Sequence, residues 1–129
     1  LVLAIRKALV SSGIGPGEVG LIAAHGTGTV YNDQMEMRAF RAVFTDGPRP
    51  VYSIKGGIGH TMGAAGLVEM LIAQRALREG IVPPTVNLKE VDDDARGWAS
   101  ERQQPVRSRS LALMTNAGFS GINTALVLG

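Results

Sequence analysis

Leu1, Val2, Ile5, Leu9 and Val10 recur at close to helical spacing, with Arg6 and Lys7 on the other side, and predict a first helix over 1–12. Ser11-Ser12-Gly13 and Gly15-Pro16-Gly17 stop it. Val19 to Ala24 is a short unbroken apolar run ending at His25, the mark of a buried, parallel strand. A loop over 26–29 leads to a second helix, with Asn32 or Asp33 as its cap and Glu36 three residues past Asp33 in capping-box position. Met35, Ala39, Phe40 and Val43 form its apolar side, and Asp46-Gly47-Pro48 breaks it after about Phe44. Val51 to Ile54 reads as the next buried strand, and His60 to Glu79 as the longest helix. The first two turns of that helix are nearly all small or apolar, which predicts burial on most sides. Gly80 and Pro83-Pro84 end it, and 87–104 is a polar surface loop. Ser110 to Thr115 and Thr124 to Leu128 are strand-like and joined as a hairpin through the turn at 118–123. Strands alternating with helices, then two adjacent strands, predict an α/β fold: a mixed, mainly parallel sheet flanked by helices, with a C-terminal antiparallel hairpin.

At 129 residues the chain reads as a single domain, 1–129. The net charge is +2 and the arginines are interspersed with acids, so no basic stripe points to nucleic acid. The apolar stretch from Met62 to Leu77 is interrupted by Glu69, Gln74 and Arg75, so no membrane span is expected, and a cytoplasmic location follows as the default. There is no cysteine: no disulfide framework, no thiolate metal site and no cysteine nucleophile within these residues. The chain opens on leucine inside a helical pattern, so a preceding segment is expected.

Chemistry concentrates in three turns. His25 stands at the carboxyl end of a predicted strand, the edge where open α/β sheets bind ligands. Thr27 and Thr29 put two hydroxyls on the loop that follows, suited to an amide-rich ligand. Lys55 and His60 flank a glycine-rich turn before the long helix. A helix start disfavours an imidazolium, so a neutral His60 is expected. Glu69, on the buried helix, needs a partner, and Lys55 is the nearest cation in sequence. Other readings of these residues stand beside that one. Two histidines in a small domain can be satisfied structural residues. His25, His60 and Asp33 could hold zinc, although no close-spaced ligand pair exists. The glycine-rich turn matches a phosphate loop only loosely, since Lys55 precedes the glycines. The methionines read as core filler, and Phe119 could simply plug a hairpin.

His25-Gly26-Thr27-Gly28-Thr29 with Asn32, Asp33 and Glu36, the run K-x-x-x-G-H-x-x-G-A-A-G from Lys55 to Gly66, and the Gly118-Phe119 turn ending at Asn123 resemble the C-terminal half of the β-ketoacyl-acyl-carrier-protein synthases. These are condensing enzymes of fatty-acid and polyketide synthesis. The resemblance runs through essentially the whole chain. It implies half of a thiolase-like fold around a five-stranded mixed sheet. It also implies decarboxylative Claisen condensation of phosphopantetheine-linked acyl and malonyl thioesters, with no cofactor or metal bound. His25 and His60 become the catalytic pair that holds the enolate oxygen, and Lys55 and Glu69 the paired active-site lysine and glutamate. Thr27 and Thr29 bind the phosphopantetheine arm, and Gly118 and Phe119 form a mobile gate.

The family's loop reads G-F-G-G-T-N, so Ser120 and Ile122 depart from it, and Ser120 is expected to stiffen the gate. The family's nucleophilic cysteine belongs to the N-terminal half. The implied partners are therefore that half, acyl carrier protein and a second copy in a homodimer, and these residues alone should be inactive. Arg96, Arg102, Arg107 and Arg109 are either carrier-protein contacts or a solvated loop. The alternative is a non-catalytic partner, a chain-length-factor-like interaction domain that binds carrier protein. Either way an apolar packing surface should lie open on this half.

Overall fold

The structure is a computed structural model that describes all 129 residues. Its centre is a four-stranded sheet in the order β2-β1-β5-β6, where β1 is Val19–Ala23, β2 Val51–Tyr52, β5 Leu111–Ala117 and β6 Asn123–Leu128. β1 pairs in parallel with β2 and β5, and β5 pairs antiparallel with β6, so the expected mixed sheet with its closing hairpin is present. It has four strands rather than five. A separate two-stranded ribbon, β3 (Ile81–Val82) with β4 (Gln104–Pro105), was not expected, because two-residue strands carry no readable period.

Every residue of β1 is buried, which is why its sequence is continuously apolar rather than alternating. Val19 and Ile22 face one core together with Ile5 and Leu9 of α1 (Val2–Ser11) and Met37, Ala39, Phe40 and Val43 of α2 (Val30–Val43). Leu21 and Ala23 face the other core, with Tyr52 and with Ala73 and Ala76 of α4 (Ala65–Glu79). The sheet is thus covered on both faces, and the carboxyl ends of β1 and β2 open at one edge. No helix is long and apolar enough to cross a membrane.

Four expectations require correction. α2 begins at Val30 with Thr29 as its cap residue, and neither Asn32 nor Asp33 caps it. Asn32 turns its amide to Glu36 instead, at 2.9 Å, and Glu36 serves the β1 end rather than a capping box. The long helix does not begin at His60. A single turn, α3 (Lys55–Ile58), is followed by an irregular stretch, and α4 starts at Ala65. Gly59, at φ 75° and ψ 180°, lies in a region that only glycine readily adopts, and Met62 also has positive φ, so an α-helix cannot run through this stretch and 62–64 forms only a 3-10 turn. Gly63 and Ala64 are exposed, as are Leu67 and Leu71, so this helix is buried on one side only. Finally, the 87–104 loop is not purely surface: Trp98 is buried from it against Phe40 and Phe44.

Candidate functional site

His25 comes two residues after β1 and Lys55 opens α3 three residues after β2, so adjacent parallel strands deliver both to one edge of the sheet. Glu69 comes from α4 on one face, and Asn116 from near the end of β5. Two glycines fix the histidine loops. Gly26, at φ 44°, passes so close to Ser53 that a Cβ there would stand 2.5 Å from the Ser53 Cβ. Gly59 makes the sharp turn into His60.

The imidazoles of His25 and His60 meet edge to face, with ring centroids 5.2 Å apart and planes at 78°. His25 is buried and His60 exposed, so the pair spans the wall of the site. The His25 backbone N–H donates to Glu36 Oε1 at 2.8 Å and the Gly26 N–H to Glu36 Oε2 at 2.7 Å. Thr115 Oγ1 donates to the same carboxylate at 2.9 Å. Glu36 is thus a buried anion satisfied by four donors including Asn32, and it clamps the His25 loop to α2 and β5.

Lys55 and Glu69 form a buried ion pair. Lys55 Nζ also donates to the backbone carbonyl of His25, so the lysine holds the loop rather than the ring of that histidine. Glu69 Oε2 accepts from Asn116 Nδ2 at 3.2 Å, and Asn116 Oδ1 lies 3.2 Å from His25 Nδ1. On the other histidine, the Met62 backbone N–H donates to Nδ1 at 3.1 Å. The hydrogen therefore sits on His60 Nε2 in the neutral ring. The expected helix start next to His60 is absent. The one hydrogen bond to its ring comes from the Met62 N–H instead.

Tyr52 is buried beside this network with its hydroxyl unpartnered. Burial pushes its phenol pKa upward, and the charge of Glu69 adds to the effect. His25, His60 and Asp33 do not converge: no group of three His, Asp or Glu side chains is placed to hold an ion.

The Thr27 and Thr29 hydroxyls lie 2.8 Å apart on the exposed loop after His25. Phe119, in the β5–β6 turn, is 94% exposed, and Gly118 N–H closes the turn on Ile122 O at 2.7 Å. Ser120 adopts φ 62°, a left-handed conformation in a non-glycine residue. Arg96 is paired with Asp93, and Arg107 donates to the backbone of Gly17. Ile58, Met62, Leu67, Leu71, Phe119 and Ile122 are exposed large apolar side chains on the α3–α4 and β5–β6 segments. In the sequence Glu36 stood out as a capping residue and as part of the His25 motif, not as a buried acceptor, and Asn116 fell just past the predicted strand 110–115. The one available signal for Asn116 was an asparagine inside an apolar strand, where that residue is depleted and needs partners.

Residues 1–89 match the family model described as β-ketoacyl synthase, C-terminal domain. The chain is 32% identical over 126 residues to 3-oxoacyl-[acyl-carrier-protein] synthase 2 of Mycobacterium tuberculosis, covering 98% of this chain and 30% of that protein. The ishigamide ketosynthase/chain length factor structure superposes with a TM-score of 0.89 and 34% identity, covering 99% of this chain and 32% of that one. AntDE:AntF, a type II acyl-carrier protein in complex with its ketosynthase bound to the hexaketide, gives 0.88 and 29%, over 98% of this chain and 31% of that one. The chain therefore spans about a third or less of the proteins it matches.

Proposed function

The chain belongs to the β-ketoacyl synthase family and has its thiolase-like fold, and we propose that it supplies the histidine-bearing C-terminal half of a 3-oxoacyl-acyl-carrier-protein synthase. The reaction is decarboxylative Claisen condensation in fatty-acid or polyketide synthesis. The nucleophilic cysteine comes from the N-terminal half, since no cysteine is present in these residues. An acyl group rests on that cysteine as a thioester. The malonyl thioester releases carbon dioxide, and the electron pair of the broken C–C bond passes to the thioester oxygen as an enolate. The enolate carbon attacks the acyl carbonyl, and the tetrahedral intermediate expels the cysteine thiolate.

The observation that carries this reading is the pair of imidazoles 5.2 Å apart at the carboxyl edge of the sheet. His60, whose Nδ1 accepts the Met62 N–H and whose Nε2–H is thereby left free, is a preorganised donor for the oxygen on which the enolate charge grows. Such a donor contributes most in a site shielded from water. Lys55 and Glu69 fix the His25 loop. Thr27 and Thr29 hydrogen-bond the amides of the phosphopantetheine arm, and the exposed Phe119 beside Gly118 gates the acyl pocket. Acyl carrier protein is the docking partner; the carrier-protein complex of a structural relative supports this assignment. The exposed apolar side chains of α4 and the β5–β6 turn are the packing surface for the N-terminal half in a cytoplasmic homodimer.

The test is malonyl-carrier decarboxylation and condensation by the polypeptide as its source cell makes it, assembled with its cysteine-bearing half. His60→Ala is expected to slow both by about 10²–10³-fold. Unchanged rates in His25→Ala and His60→Ala would instead make this a non-catalytic partner, in the manner of a chain length factor.

A further inference from the structure

The two histidines are held by different kinds of partner, and the difference determines which ring nitrogen carries hydrogen. Asn116 touches both Glu69 and His25, each at 3.2 Å. Glu69 Oε2 can only accept: its carboxylate already takes the Lys55 ammonium on Oε1. The end of the Asn116 amide that meets Glu69 must then be the NH2, which leaves the carbonyl oxygen facing the imidazole. That oxygen can only accept, so His25 Nδ1 must be the donor. A neutral imidazole has one N–H, so His25 Nε2 is a bare lone pair. His60 is the reverse, because Nδ1 receives the Met62 N–H and the hydrogen stands on Nε2.

We propose that Asn116 is a positioning residue that locks His25 in the Nδ1–H tautomer, so that the neutral histidine pair offers one acceptor and one donor rather than two donors. Its amide is fixed in turn by Glu69, and Glu69 by Lys55, in one chain of hydrogen bonds from the ion pair to the ring. Asn116 stands between residues remote in sequence: 91 positions from His25 and 47 from Glu69. Because Nδ1–H stays donated whether the ring is neutral or charged, any proton gained or lost by His25 passes through Nε2. Only as an imidazolium can His25 join His60 in donating to an oxyanion. This consequence rests on the condensing reading; the tautomer does not.

The experiment is long-range proton–nitrogen correlation on the polypeptide as its source cell makes it, labelled with ¹⁵N-histidine, with His25 and His60 assigned by their loss in His25→Asn and His60→Asn. The expected spectrum has His25 protonated on Nδ1 and bare on Nε2, and His60 the opposite. In Asn116→Ala the His25 pattern should move toward Nε2–H while His60 does not change, and kcat for decarboxylation should fall about tenfold to a hundredfold. Asn116→Ser, which retains an acceptor oxygen, should retain part of the Nδ1–H signal and serves if the alanine variant does not fold. Native His25 protonated on Nε2, or a pattern indifferent to both substitutions, overturns the assignment. The expected spectrum in a polypeptide without condensing activity overturns the functional reading and leaves Asn116 its role.

Discussion

Lys55 and Glu69 are the strongest single commitment of charge in the fold. Their side chains are 5% and 2% exposed, so water does not screen either ion. Glu69 has Asn116 as its only other donor, and Lys55 has the His25 carbonyl as its only other acceptor. Lys55→Met leaves a carboxylate in the core with one neutral amide, and Glu69→Gln leaves an ammonium with one carbonyl. Each should cost about 3–5 kcal/mol. The double variant Lys55→Met/Glu69→Gln carries no buried charge and loses mainly the bond to the His25 carbonyl, for about 1–2 kcal/mol. The two effects should therefore be far from additive, with a coupling of several kcal/mol. Urea unfolding followed through Trp98, the single tryptophan and a buried one, reads this directly. With m near 2 kcal/mol/M, each single substitution should lower the midpoint by about 1.5–2.5 M and the double one by less than about 1 M. Single costs under about 1 kcal/mol, or an additive double variant, would refute the view that the pair is bound together by desolvation.

The two tyrosines should titrate far apart when followed by phenolate absorbance: Tyr31 is exposed, whereas Tyr52 is buried and its pKa is raised by burial and by Glu69. A raised folded pKa contributes stability that is complete below the ordinary tyrosine pKa of about 10 and is lost as pH climbs above it, so Tyr52 should ionise only as the chain unfolds; a single step for both residues would contradict its burial. At Ser120, with φ 62°, Ser120→Gly should change stability by less than about 0.5 kcal/mol while increasing fast motion of Phe119 in NMR relaxation, whereas Ser120→Val should cost about 1–2 kcal/mol; equal effects of the two would mean that the left-handed turn is not fixed.

The scaffold was legible where a single physical period governs a stretch. β1 is apolar throughout because both its faces are covered, α2 shows its core stripe, and the hairpin of β5 and β6 is announced by the glycines of its turn. The stretch from His60 to Ala64 misled for the same reason. Its small and apolar residues suit a helix, but Gly59 and Met62 adopt positive φ, and nothing in hydrophobic spacing records a dihedral angle. Glu36 three residues beyond Asp33 satisfied a local rule, yet its carboxylate is taken by donors 11 and 79 positions away at His25 and Thr115. A tertiary demand for a buried acceptor outweighs a surface cap, because an unmet backbone N–H in the core costs more than an exposed one.

The same reasoning separates what a residue type can disclose from what its neighbours decide. Two histidines and a lysine at turns that follow strands β1 and β2 were visible as chemistry. Their distinct behaviour was not, since it depends on the direction of hydrogen bonds. His60 receives a hydrogen from a backbone amide two residues away, a local contact, while His25 gives one to an asparagine 91 residues away whose orientation is dictated by a carboxylate on another helix. A ring held by its own loop keeps its tautomer as long as the loop holds. A ring held through Glu69 and Asn116 keeps it only while β5 and α4 are packed on the sheet. His25 should therefore lose its preferred nitrogen in any variant that loosens that packing, and His60 should not.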